Sequence, residues 1–121
     1  MEITLLTLLL IKHAFADLFL QTLHSNTDKT KYFGNGHRHY AEHGVGTLII
    51  CLFFVNPIFS VLICILDYLI HWHVDFGKTR FVRRMKIAHG SAVWFRIQTF
   101  DQIAHYLTYA LIVLLVQQSY V

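Results

Sequence analysis

Charge is scarce in this chain: Asp, Glu, Lys and Arg together make up 14% of 121 residues, against 55% hydrophobic. With a mean hydropathy of +0.49, that scarcity excludes an ordinary soluble domain of this length. The net charge of +3 therefore reads as topology rather than as affinity for acidic partners. Cysteine is nearly absent too. Cys51 and Cys64 lie in apolar sequence without a CxxC neighbour and read as small hydrophobes. Ser25, Ser60, Ser91 and Ser119 have no nucleophile motif around them, and there is no glycine-rich phosphate loop. The single proline, Pro57, follows Asn56, a pairing that stops one helix and starts another. The opening Met1-Glu2-Ile3 lacks the positive stretch of a cleaved signal, so the first apolar run is expected to be retained.

What the chain does have is long apolar runs. They predict an all-α, polytopic membrane protein in one domain over 1–121, with helices over about 3–23, 39–56, 58–76 and 99–116. Gly77 is the expected C-terminal cap of the third. A rival division makes 45–70 one kinked span, but at 1.5 Å per residue that stretch is ~39 Å long, too much for a ~30 Å hydrocarbon core. The four-span division also gathers Lys29, Lys31, Arg38, Lys78, Arg80, Arg83, Arg84, Lys86 and Arg96 on one side, leaving only Lys12 within a helix. Basic loops mark the cytoplasmic side, so both termini are expected on the non-cytoplasmic side of a bacterial inner membrane. Trp72 and Trp94 suit the membrane interface, as does His73. His24, His37 and His89 are expected in solvated loops.

Each apolar run also carries a pair of titratable residues four apart, which share a helix face: His13 and Asp17, His39 and His43, His71 and Asp75, Asp101 and His105. The order within the pair reverses on the fourth helix, which runs opposite to the first and third. Like therefore meets like in space. Asp17, Asp75 and Asp101 fall at one depth with His39; His13, His43, His71 and His105 fall about one turn deeper. Intramembrane Asp is costly, by ~2.5–3.5 kcal/mol on insertion scales, and three carboxylates together repel. A divalent cation removes both problems. Imidazole with carboxylate suits zinc first, with manganese or iron as alternatives, and eight donors allow one ion or two. A His–Asp network that only holds the bundle together is the alternative.

These residues resemble the signature of a small membrane family of bacteria and phages, domain-of-unknown-function family 3307. The resemblance lies in His13-Ala-Phe-Ala-Asp17-Leu-Phe-Leu-Gln21, His43-Gly44, His71-Trp-His-Val-Asp75-Phe-Gly-Lys78 and Asp101-Gln102-Ile-Ala-His105. It implies a short multi-helix membrane protein without an established activity, with those His, Asp, Gln and Lys residues as the functional set. His39 is not assigned to the family pattern. A more distant similarity is to membrane-bound metal-dependent hydrolases.

The expected function is metal-dependent hydrolysis of a phosphoester or lipid-like substrate near the cytoplasmic face. His13, His39, His43, His71 and His105 with Asp17, Asp75 and Asp101 are the metal candidates, and the three aspartates double as catalytic acids or bases. Lys78, Arg80, Arg83 and Arg84 are candidates to hold an anionic lipid or phosphate. The partners expected are the bilayer and that substrate, with no nucleic acid. A metal-stabilised accessory protein and a cation or proton transporter use the same residues in other ways.

Overall fold

A computed structural model describes residues 1–20, 22–23 and 28–120, so Gln21 and His24 lie outside the described residues. Among these residues there are four long helices and no strands. Helix α1 (Glu2–Ala14) continues as a π-helical turn, Phe15–Leu20, that carries Asp17. It is followed by α2 (Gly36–Cys51), α3 (Pro57–Arg84) and α4 (Ala92–Gln118). Each helix packs on two neighbours, α1 on α2 and α4, and α3 on α2 and α4, which makes a square, antiparallel bundle.

The chain turns back at 52–56 instead of crossing as one rod. Asn56 is the reason: its backbone is extended, its side chain accepts from the Phe59 amide at 2.9 Å, and Pro57 opens α3. Three helices are long and apolar enough to cross a membrane: Glu2–Leu20, Pro57–Arg84 and Ala92–Gln118. At 16 residues, α2 extends ~24 Å, short of a ~30 Å core.

Helix ends depart from expectation on the basic side. The stretch 78–98, expected as a loop, is mostly helix: α3 runs on through Gly77 to Arg84, and α4 begins at Ala92. The connection between them turns at Lys86 (φ 52°) and Gly90 (φ 80°), after which Ser91 caps α4 by accepting from the Trp94 amide at 3.2 Å. Gly77 therefore sits mid-helix, where glycine costs ~1 kcal/mol relative to alanine. A contact made by the very next residue offsets that cost, since Lys78 reaches Asp101 of α4 at 3.3 Å. A Cβ added at Gly77 would meet nothing within 4 Å. Gly77→Ala is thus expected to stabilise the protein by ~0.5–1 kcal/mol; a cap glycine at the same position would give a loss in the same thermal unfolding measurement.

Packing is inverted relative to a soluble bundle. Ile3, Leu18, Phe53, Ile58, Phe100 and Leu107 are largely exposed, while histidines and aspartates are buried. Apolar side chains spread over the outside of a bundle of this kind suit a lipid surround. The core is layered along the axis. At the end holding the 52–56 turn, Leu5, Leu9, Cys51, Ile63, Ile112 and Val116 form an apolar cluster. Next comes a buried ion pair, Lys12 to Asp67 at 3.1 Å, with Thr47 donating to Asp67 at 2.5 Å and Lys12 donating to Tyr109 at 3.1 Å. The lysine stem lies flat on α2 because Gly46 leaves room for it: a Cβ there would come within 2.7 Å of Lys12 Cγ. Beyond this layer the core is histidine and aspartate.

Candidate metal centre

The histidine level is contiguous. The His71 ring is stacked between His43, with centroids 3.7 Å apart, and His105, at 4.0 Å. His13 closes the group at 5.3 Å from both His43 and His105. One turn toward the basic end, Asp17 Oδ1 accepts a hydrogen bond from His43 Nε2 at 2.8 Å and lies 3.2 Å from His39 Nε2. Asp75 Oδ1 is hydrogen-bonded to His105 Nε2 at 2.9 Å, and its Oδ2 lies 3.4 Å from His71 Nε2 and 3.6 Å from His39 Nε2. Asp101 Oδ1 is 3.4 Å from His105 Nε2. The structure thus brings all eight residues, His13, Asp17, His39, His43, His71, Asp75, Asp101 and His105, into one cluster, with His39 at the aspartate level.

They are not equivalent. Two subsets present ligand atoms all within 4.8 Å of one another: Asp17, His39, His43 and His71, and His71, Asp75 and His105. His71 belongs to both. For metal–ligand bonds of ~2.0–2.1 Å, tetrahedral ligands sit ~3.4 Å apart, so a modest contraction converts either subset into a coordination shell. His13 stands in neither, its nitrogens bonded to Tyr109 Oη at 2.7 Å and Gln102 Oε1 at 3.0 Å. His43 is bonded on both sides as well, with Lys12 Nζ 3.3 Å from Nδ1.

His39 and His71 behave differently. Both are buried, 3% and 1% exposed, and neither ring nitrogen of either has a hydrogen-bond partner among the described residues. Asp101 Oδ1 likewise has no hydrogen bond, although His105 Nε2 stands 3.4 Å away. Buried polar atoms without partners cost ~1–3 kcal/mol each. Each neutral ring keeps one lone pair for a cation of borderline softness, so His39 and His71 offer two open donors beside the carboxylates.

The centre opens on a cleft of about 830 Å³ between the ends of α3 and α4 and the 28–30 turn, with Asp17, Asp75 and Asp101 at its base. Lys29 reaches in from that turn to Asp75 Oδ2 at 2.8 Å. The turn itself is fixed by Asp28, which accepts from both the hydroxyl and the amide of Thr30; these bonds hold its carboxyl below the usual range. Lys78 and Arg83 line the cleft, whereas Arg80 and Arg84 line a separate hollow of about 360 Å³ with Arg83 and Thr30. The basic cluster expected to hold one phosphate is therefore divided between two cavities.

Other expectations need correcting. His37 is not a solvated loop residue: it opens α2, is hydrogen-bonded to the Tyr68 hydroxyl and the Tyr32 carbonyl, and packs on Trp72. His89 does lie exposed in the connection between α3 and α4, as expected, with its ring 4.3 Å from that of Trp94. Asp67, Thr47 and Tyr109 escaped sequence reasoning although the signal was present. Each extends an established stripe by four residues: Asp67 precedes His71, Thr47 follows His43 and Tyr109 follows His105. Lys29 carried no such signal, because a turn rather than a helix delivers it.

The class defined by these observations is an all-helical bundle with helices able to cross a membrane and a buried His/Asp cluster able to hold a metal ion. No family model, no curated protein and no solved structure matches the chain.

Proposed function

We propose that this is a multi-pass protein of the bacterial inner membrane whose His/Asp centre binds one or two divalent ions, zinc first and manganese or iron next, and hydrolyses a phosphoester or lipid-like substrate. In this reading α2 completes a bundle of four spans and both termini lie on the non-cytoplasmic side, with the basic end and its cleft at the cytoplasmic face. The motif resemblance to domain-of-unknown-function family 3307 belongs to the same proposal and adds no activity to it. The observation that carries the reading is the pair of buried, unpartnered imidazoles, His39 and His71, set among three carboxylates at the base of an open cleft.

His39, His71, His105, Asp17 and Asp75 are the ligands we assign, with His43 and His13 orienting Asp17. A divalent ion supplies Lewis acidity and a lowered pKa for coordinated water. Asp101, with Oδ1 free of hydrogen bonds and Oδ2 held by Lys78 and Gln102, is the group we assign to take a proton from attacking water. Lys78 and Arg83 face the cleft as anion holders, and Arg80 and Arg84 lie further out toward anionic headgroups.

A transport path fits less well. The polar column runs from the cleft through the aspartate and histidine levels to Lys12 and Asp67, and then ends at the apolar cluster around Leu5, Ile63 and Val116. It is blind. The accessory reading has one observation in its favour, the ion pairs that already neutralise Asp67, Asp75 and Asp101 without a metal.

Turnover separates them. Detergent-purified protein should release nitrophenol from bis(p-nitrophenyl) phosphate only with metal present. Asp101→Asn should keep its metal but lose ~100-fold or more in rate, the scale of general acid–base catalysis. Metal binding without turnover on this compound or on phospholipids would replace the hydrolase with the accessory protein.

A further inference from the structure

Two lysines rest on the carboxylates of the centre. Lys29 Nζ lies 2.8 Å from Asp75 Oδ2 and Lys78 Nζ lies 3.3 Å from Asp101 Oδ2. Their side chains are 19% and 17% exposed, so both ammonium groups stand at the boundary between the centre and the cleft. The Asp75 Oδ2 that Lys29 holds is the same oxygen that faces His71 and His39. A divalent ion gripping Asp75 and His71 would meet the lysine ammonium at close range, where like charges in a partly buried setting repel strongly. One cation must leave.

The charge balance of the cleft says where it would go. Its lining carries four carboxylates, Asp17, Asp28, Asp75 and Asp101, and four fixed cations, Lys29, Lys78, Arg83 and Lys86. Formally it is neutral. A divalent ion leaves it with a surplus of two positive charges, and the freed lysines face a cavity of about 830 Å³, a size that takes a small organic ligand. A phosphate dianion matches that surplus in sign and magnitude, and lysine ammonium groups bind phosphate readily.

We propose that Lys29 is a placeholder for a divalent cation on Asp75, that Lys78 waits beside it on Asp101, and that on metal binding both turn to a phosphate-bearing ligand in the cleft, so that metal and phosphate bind cooperatively. The inference rests on the metal centre proposed above and adds the partner exchange, the role of Lys29 and the coupling. A free phosphoester and a lipid headgroup present the same chemistry.

The test is calorimetric titration of manganese into the full-length chain in neutral detergent, with and without inorganic phosphate, and in nanodiscs of phosphatidic acid against phosphatidylcholine. Phosphate or phosphatidic acid should lower the apparent Kd for manganese on the order of tenfold, within the usual range of coupling between sites. Enhancement by phosphatidic acid alone assigns the ligand to lipid; enhancement by inorganic phosphate assigns it to a free phosphoester. The Lys29→Gln/Lys78→Gln variant should bind manganese at least as tightly as wild type and show no enhancement. If that variant does not purify, Lys29→Gln alone should show a reduced one. Manganese binding that is indifferent to phosphate in every arm overturns this proposal and leaves the metal centre standing. So does full enhancement in the double variant. Absence of binding by manganese and by zinc titrated in the same way overturns both.

Discussion

His71→Ala is expected to abolish tight metal binding, raising the dissociation constant by well over ~100-fold, beyond what loss of an outer partner costs. The reason is position. His71 is the one residue common to both compact donor sets, and its ring is stacked between His43 and His105 at 3.7 and 4.0 Å. Removing it takes a ligand from each set and also leaves a hole in the histidine layer. His13→Ala provides the contrast. That ring is committed to Tyr109 and Gln102 and belongs to neither set, so its loss should weaken binding only within the ~10–100-fold range of an orienting residue. Competition titration against a chelator of known affinity reads both. Equal effects for the two variants would mean that the cluster does not distinguish ligands from supports in the way its geometry suggests.

Lys12→Met is expected to destabilise the fold by ~3–5 kcal/mol, the cost of leaving one member of a buried ion pair without its partner. Lys12 and Asp67 are both nearly inaccessible, with side chains 8% and 2% exposed. Thr47 alone would then have to satisfy Asp67. The double change Lys12→Met/Asp67→Leu removes both charges and should recover most of the loss, because apolar replacements of a buried pair are often neutral. Thermal unfolding in detergent reads the difference. A neutral Lys12→Met would place the ammonium in contact with headgroups or water instead of with Asp67.

How far sequence carries in this chain depends on which residues share a helix. The four pairs at i, i+4 and the reversal on the last helix were enough to predict that His13, His43, His71 and His105 meet at one level and His39 joins Asp17 and Asp75 at the next, because helix geometry fixes both relations. The Asn56-Pro57 turn was readable for the same local reason. Helix ends on the basic side were not: Gly77 reads as a cap by propensity, and only the contact of Lys78 with Asp101 across the bundle shows why the helix continues. The far end of α2 was also overread, since the helix stops at Cys51 and not at 56 and the apolar residues that follow it form the turn. Lys29 and the division of the arginines between two cavities depend on how the 28–30 turn folds over the bundle, which no periodicity encodes.

The proposed centre exists only if the open nitrogens of His39 and His71 hold an ion. Elemental analysis of the chain purified in detergent without added chelator reads this directly. One to two equivalents of zinc, manganese or iron per chain are predicted, falling to a trace in His71→Ala purified alongside. A well-folded wild type that carries no metal, and takes none up on dialysis against zinc or manganese, would contradict it.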